Sequence, residues 1–249
     1  MSSRGKTRNL PVITLMGNQF LIIENEDDLQ IAKPAIRAAM LYPICRRRVS
    51  WIVQTKIKPN LSALLEMYKK IAIGVRRYNN RPPFDVISLI GGPTKEDIVF
   101  SEVNLGRFFV GIGFMITPSP PRGATMSYGA IAYAVSPVYA IPEPRRFHPH
   151  VSVSCSICLG RGVDSFVKSA RRNDLVSCLD IAKAVLSSYC AEDSYFPIGN
   201  WYGYSCADCG NIVANDERCC SCMVPICNRC AIINKDRHFC SACASHRGL

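Results

Sequence analysis

Cys158 closes a polar run, His148-Pro149-His150-Val151-Ser152-Val153-Ser154-Cys155-Ser156-Ile157-Cys158-Leu159-Gly160, that sets two imidazoles, a rigid proline and several hydroxyls just upstream of a thiol. A cysteine attacks only as its thiolate, so a working one needs donors or positive charge nearby and some exposure. Cys155 is the rival nucleophile, three residues earlier. A second chemistry lies at the other end of the chain, where Cys206-x2-Cys209, Cys219-x2-Cys222, Cys227-x2-Cys230 and Cys240-x2-Cys243 are separated by nine, four and nine residues. Zinc prefers four sulfur or nitrogen ligands in a closed tetrahedron, so eight thiolates imply two structural Zn2+ ions. Gaps this short leave little chain for an apolar core, and metal binding then supplies the folding energy. Cys220 competes with Cys219 as a ligand and His246 with Cys243, while His238 reads as a surface residue or one behind the ligands.

Cysteine usage and charge bound what kind of protein this is. Of fourteen cysteines, nine fall between Cys206 and Cys243 and five are scattered. Such clustering fits a cytosolic metal module better than a secreted disulfide framework. No apolar run reaches the ~18 to 20 residues that span a bilayer. Leu10 to Ile23 is interrupted by Gly17-Asn18-Gln19 and lacks a cleavage site, so it reads as a buried strand pair. The expectation is a cytoplasmic protein with no membrane partner. The net charge of +11 is uneven: residues 1–60 carry ten basic and four acidic side chains, whereas 201–249 carry five and four. A basic face of this kind binds nucleic acid or an acidic protein, or is simply solvated.

Residues 1–9 form a basic tail. The order to 58 then reads strand, Gly-Asn turn, strand, a helix near Asp28 to Leu41, and a strand at Val49 to Val53. Pro34 kinks that helix or marks its true first turn. This segment is either an appended subdomain or extra layers on the main core. Asn60 is placed to cap a helix whose stripe is Leu61, Leu64, Leu65, Tyr68 and Ile71. After Asn79-Asn80-Arg81-Pro82-Pro83, the segments Phe84 to Leu89, Ile98 to Val103, Phe108 to Ile116 and Ala124 to Tyr139 read as a four-stranded antiparallel meander. The proline-rich stretch Ile141-Pro142-Glu143-Pro144 leads into the His-Pro run. Beyond it, Asn173 is placed to cap a helix with the stripe Leu175, Cys178, Leu179, Ala182, Leu186 and Tyr189, in which Cys178 is a small core residue.

Helix, meander, proline-rich turn, His148-Pro149-His150, Cys158-Leu159 and a following helix together resemble the ubiquitin-conjugating enzyme family, in its bacterial His-Pro-His and Cys-Leu-Gly form. The likeness is closest over 135–201, topological over 60–134, and does not reach the first 55 residues. It implies an α+β fold: a ubiquitin-conjugating-enzyme-like core of one helix, a four-stranded antiparallel meander and further helices. It also implies an acyltransferase that takes a ubiquitin-like modifier from its activating enzyme as a thioester on Cys158 and passes it to an amine on a protein substrate. His150 stands where the family has asparagine, and would donate to the tetrahedral oxyanion or take a proton from the amine. His148 would pack the turn. Asp193 falls where the family has an acidic residue that positions the attacking lysine, or else is an ordinary loop residue. The tail resembles the cross-braced RING and FYVE modules, which implies that the first and third cysteine pairs share one ion and the second and fourth the other. The divisions expected are 1–58, an extension or small subdomain; 59–201, the conjugating-type domain; and 202–249, the two-zinc module.

Other readings remain at this level. Cys158 is a buried strand-edge cysteine of an inactive binding domain, or the chain is a non-catalytic zinc adaptor that binds protein or nucleic acid through its basic N-terminal part and the zinc module. A cysteine hydrolase built on Cys158 and His150 is disfavoured, because triad partners usually come from separate segments. The zinc module itself is a partner surface, a reader or a stabilising cap.

Overall fold

Met16 and Gly17 both take positive φ, +47° and +79°, the combination that turns a two-residue hairpin with the twist of its strands. Val12–Leu15 (β1) therefore folds back on Asn18–Ile23 (β2) with Leu15 opposite Asn18. The computed structural model describes residues 9–40, 43–76, 85–119, 123–141, 143, 145–213 and 217–249. The tail before Asn9, the Asn79–Pro83 break, Pro142 and Pro144 lie outside the described residues.

Helix α1 (Glu26–Ala39) opens on a reciprocal cap: Asn25 Oδ1 accepts the Asp28 N–H at 3.0 Å, and Asp28 Oδ2 accepts the Glu24 N–H at 3.0 Å. One of the orphan donors of the first turn, and the N–H just before the cap, are satisfied this way. The helix runs through Pro34, which is thus interior and not a first-turn residue. The strand expected at Val49 to Val53 is instead helix α2 (Pro43–Ile52). Cys45, Val49, Ile52 and Val53 are buried at helical spacing, and that 3.6-residue period outweighs the β-branched composition. A π-turn at Val53–Ile57 and a 3-10 turn at Lys58–Asn60 carry the chain into α3 (Leu61–Tyr68). That helix stops before Ile71, because Lys69 takes φ +62° and returns its N–H to Leu65 C=O.

Ile71 opens strand β3 (Ile71–Arg76), which the stripe reading had absorbed into the helix. Strand β4 (Asp85–Pro93) follows, then a small hairpin of β5 (Ile98–Phe100) and β6 (Val103–Gly106), then the long pair β7 (Phe108–Ser119) and β8 (Gly123–Ala134). Ile98 to Val103 is thus not one strand of a meander but a hairpin turned at Ser101, φ +45°, and paired only with itself. The main sheet has six strands, all antiparallel, in the order β1-β2-β3-β4-β7-β8. The N-terminal hairpin lies on its edge, and Phe20, Ile23, Leu29 and Ile36 join one continuous core with Phe108, Phe166 and Trp201.

After β8 a long loop leads through the His-Pro run to α4 (Val163–Arg171) and α5 (Leu175–Leu186). Helix α4 buries Phe166 and Ala170 only, too short a stripe to stand out in the sequence. The cap of α5 is Asp174, which accepts the Ser177 N–H at 3.0 Å, and not Asn173, which sits at φ +61°. The helix ends at Leu186, short of Tyr189. Asn60, expected to cap its own helix, reaches across instead. Its Nδ2 donates to Asn173 C=O at 2.9 Å and its Oδ1 accepts the Leu175 N–H at 3.3 Å, tying α3 to the start of α5.

The chain ends in two short hairpins, β9 (Tyr204–Ser205) with β10 (Ile212–Val213) and β11 (Ile232–Asn234) with β12 (Arg237–Phe239), followed by α6 (Ser241–Arg247). Ile226, Phe239 and Ala244 make a separate small apolar cluster with Cys219 and Cys240. The protein is a mixed α+β structure with an antiparallel sheet and a cysteine-rich C-terminal module. No helix among the described residues is long and apolar enough to cross a membrane.

Candidate functional site

The loop that carries Cys158 is pinned from several sides. Ile131 bridges to Ser156 and Val151 to Ile157, so the segment runs back along the edge strand β8. Arg146 Nη1 donates to Val151 C=O at 3.1 Å, and Tyr195 N–H donates to Pro149 C=O at 2.8 Å. The Cys158 N–H itself donates to His150 C=O at 2.8 Å. Backbone groups satisfied in this way hold the thiol in one place.

His148 is fully buried, edge-on to Phe108 and Phe100 with ring centres 5.1 and 5.6 Å away. The His150 N–H can only donate, so His148 Nδ1, 3.0 Å from it, must accept; Nε2 then carries the proton and donates to Leu186 C=O at 3.0 Å. Burial pushes this imidazole's pKa down to about 3, against the pull of the Leu186 carbonyl. His148 is a neutral, internal strut between the loop and the end of α5.

His150 is fixed by the same logic. Its Nε2 accepts the Cys190 N–H at 3.1 Å, so Nδ1 carries the proton and donates to Asp193 C=O at 3.2 Å. Burial lowers its pKa as well, with the Asp193 carbonyl and carboxylate opposing. Both ring nitrogens have backbone partners. The sequence reading made His150 an oxyanion donor or a base; in the structure the ring presents neither an N–H nor a lone pair to Cys158. His150 joins the Cys158 loop to the 190–193 turn.

Asp193 comes to the thiol through that turn. Its side chain packs over Gly160, where an added Cβ would lie 2.7 Å from the Asp193 carboxyl carbon. Gly160 also takes φ +46°, a conformation side chains rarely adopt, so two constraints select glycine beside Cys158-Leu159. His150, Cys158, Arg161, Cys190, Glu192 and Asp193 thus line one open cleft of about 490 Å³. The pair Arg161–Glu192, 4.0 Å apart, stands at its exposed mouth.

The remaining cysteines outside the tail sort by burial. Cys155, the rival nucleophile, is buried at φ +62° with its Sγ 3.7 Å from Met16 Sδ. Burial pushes its pKa up to about 11, against the pull of Arg76. Cys178 sits in the α5 stripe with its thiol on Phe166 C=O, pushed up to about 12 by burial and then by Asp174. Cys45 is buried against Ile116 C=O. Only Cys158 and Cys190 are half-exposed, and both line the cleft. Sequence reasoning missed Cys190, because the only signal for it is its place four residues past α5.

The tail cysteines gather as Cys206, Cys209, Cys227 and Cys230, and as Cys219, Cys222, Cys240 and Cys243, with the sulfurs of each group all within 4.8 Å of one another. This is the interleaved grouping that the resemblance implies. Cys209–Cys227 and Cys222–Cys240 sulfurs are 3.7 Å apart, close to the edge of ~3.8 Å in a tetrahedron with metal–sulfur bonds of ~2.3 Å. Burial disfavours the Cys206 thiolate. N–H groups of Cys227, Cys209 and Asp208 outweigh that and bring its pKa to about 6. Donors from Cys222, Cys240 and Ser221 do the same for Cys219. Each group can hold one metal ion. Cys220 is exposed and, like His238 and His246, stands outside both groups. Asp208 ties the first knuckle to α6 by accepting from Ser241 N–H at 3.0 Å and Oγ at 2.8 Å.

Comparison with protein-family models, curated proteins and solved structures finds no match to this chain.

Proposed function

We propose that this chain is an acyltransferase of the ubiquitin-conjugating type, which carries a ubiquitin-like modifier on Cys158 and passes it to an amine of a protein substrate. The observation that carries this reading is the placement of Cys158: a half-exposed thiol on a hydrogen-bonded loop, in a cleft lined as well by Asp193 and Glu192. In the first step the Cys158 thiolate adds to the carbonyl carbon of the activating enzyme's thioester, and that enzyme's thiolate leaves. In the second, a lysine amine adds to the Cys158 thioester, the tetrahedral oxyanion collapses, and the Cys158 thiolate departs. The attacking ammonium must lose a proton, and the two carboxylates against the single cation Arg161 favour a lysine at the cleft. Asp193 is the group that receives it. His150 and His148 act through the loop, by holding Cys158 and Asp193 in register.

The metal in each tail cluster is zinc in this proposal, since all-thiolate tetrahedral sets suit it. The ions would fold the module, whose exposed Met223 and Ile233 give it an apolar surface for recruiting a partner. Trapping tests the reading. In Cys158→Ser the modifier is expected to remain as an ester that survives thiol reductant, while Cys190→Ala still forms the thiol-sensitive adduct. An adduct unchanged in Cys158→Ala overturns the assignment.

A further inference from the structure

Between Leu29 and Leu65 the sequence holds seven basic residues and no acidic one. In the fold five of these cations collect on the outer surface of α1 and α2, because the apolar stripes of both helices (Leu29, Ala32 and Ile36; Cys45, Val49 and Ile52) turn inward, and Lys56 and Lys58 follow on the turns after α2. One of the seven, Lys58, is paired with Glu26 at 2.6 Å. The others make two features. A cleft of about 400 Å³ between the helices is lined by Lys33, Arg37, Arg46 and Ser50 with no carboxylate among its residues. On the next face of α2 stands Trp51, 41% exposed, with Arg48 and Lys56 5.9 and 5.6 Å from its ring centre. Arg47, four residues before Trp51, shares that face. A hollow of about 170 Å³ opens beside the indole, walled by Arg48, Ile52, Ile116 and Met126.

We propose that this surface binds single-stranded nucleic acid, with phosphates in the Lys33–Arg37–Arg46 cleft and along Arg47 and Arg48, and a base stacked on Trp51. The cations alone would suit any polyanion. The exposed indole decides between partners, because an unpaired base has a π-face to lay on it and an acidic peptide does not. A base that stacks there displaces Arg48 or Lys56 from the ring, and the freed cation goes to the adjoining phosphate. The surface is independent of Cys158 and of the function assigned to it.

Fluorescence polarisation of the full chain with fluorescein-labelled 20-mers of deoxythymidine and of uridine tests this. Saturable binding is expected at low salt, with log K falling against log salt at about −0.7 for each phosphate neutralised, or about −3.5 for five. Trp51→Ala is expected to weaken binding by about 5- to 160-fold, the range for one base stacked on an aromatic side chain. Arg47→Glu with Arg48→Glu is expected to weaken it at least tenfold, as is Arg37→Glu on the other helix. All four side chains are exposed, and unchanged thermal melts identify the variants that keep their fold. The chain has two tryptophans and Trp201 is fully buried, so quenching of intrinsic fluorescence on titration reports Trp51 and should vanish in Trp51→Ala. Absence of saturable binding overturns the proposal, as does binding that survives these substitutions. Preference for polyglutamate or for phosphatidylserine vesicles over the oligonucleotides also overturns it, and assigns the surface to that partner.

Discussion

Replacing His150 with alanine removes a side chain that hydrogen-bonds the 190–193 turn from the Cys158 loop. The ring accepts from Cys190 N–H at 3.1 Å and donates to Asp193 C=O at 3.2 Å. Each backbone group left without a partner costs about 1–3 kcal/mol. The neighbouring cleft is open and water can reach part of the gap, so the lower half applies and the loss is about 2–4 kcal/mol. At about 2–4 °C per kcal/mol for a chain of this size, the melting temperature falls by about 4–16 °C. His150→Gln, which can supply one donor and one acceptor, should recover part of it. Thermal unfolding followed by circular dichroism reads the stability effect. Transfer rate against pH reads the chemistry: a positioning residue lowers the amplitude and leaves the shape of the profile, whereas a general base takes its titration limb with it. Unchanged stability in His150→Ala, together with a lost limb near neutral pH, would refute the geometry assigned here.

His148 predicts how stability responds to acid. Unfolded, it takes a proton near its ordinary 6.5; folded, it does so only at about 3. The unfolded state therefore binds more protons between these values. The contribution is full above about 6.5 and is lost as pH falls through the window, at about 1.4 kcal/mol per pH unit. Urea midpoints at pH 7.0, 5.5 and 4.5 should show this slope, reduced in His148→Gln. Gly160→Ala drives a methyl into the Asp193 carboxylate, so loading of Cys158 should persist while discharge to lysine falls at least several-fold, read by comparing single-turnover loading and discharge rates. Asn60→Ala frees the Leu175 N–H and Asn173 C=O and should cost about 2–4 kcal/mol in urea unfolding. Stripping metal with a strong chelator should release two ions per chain, counted with a colorimetric zinc indicator. It should also broaden amide signals of residues 206–243 while those of the main sheet stay dispersed.

The grouping of the tail cysteines into two sets of four was legible in the sequence, because paired C-x-x-C knuckles at these gaps suit tetrahedral ligation; the short hairpins and helix around them were not. The meander was legible in part. Val, Ile and Phe marked β4 and β7, and Tyr128, Ile131 and Tyr133 marked β8, but β3 was hidden behind α3, since Ile71 fits both the helical stripe and the strand. The Val49–Val53 stretch misled through its β-branched residues, although Val49, Ile52 and Val53, with Cys45 before them, fall at helical spacing. Cys158, His148 and Asp193 could be named as candidates from the His-Pro run and the turn after the helix, and the fold brings Cys158 and Asp193 to one cleft. What no sequence could convey is the tautomer of His150, set by two backbone groups some 40 residues away, and with it the change from chemical group to strut. Cys190 was missed for the same reason, and the basic N-terminal segment was read without Trp51: each gains meaning only from what the fold brings beside it.

The central claim is that Cys158 carries an acyl group. Intact mass of the full chain, taken after incubation with ATP, an activating enzyme and its ubiquitin-like protein, tests it most directly. The account predicts one added modifier less one water, removed by thiol reductant, mapping to Cys158 and still formed by Cys190→Ala. The same mass shift in Cys158→Ala, or one that maps to Cys190, contradicts it.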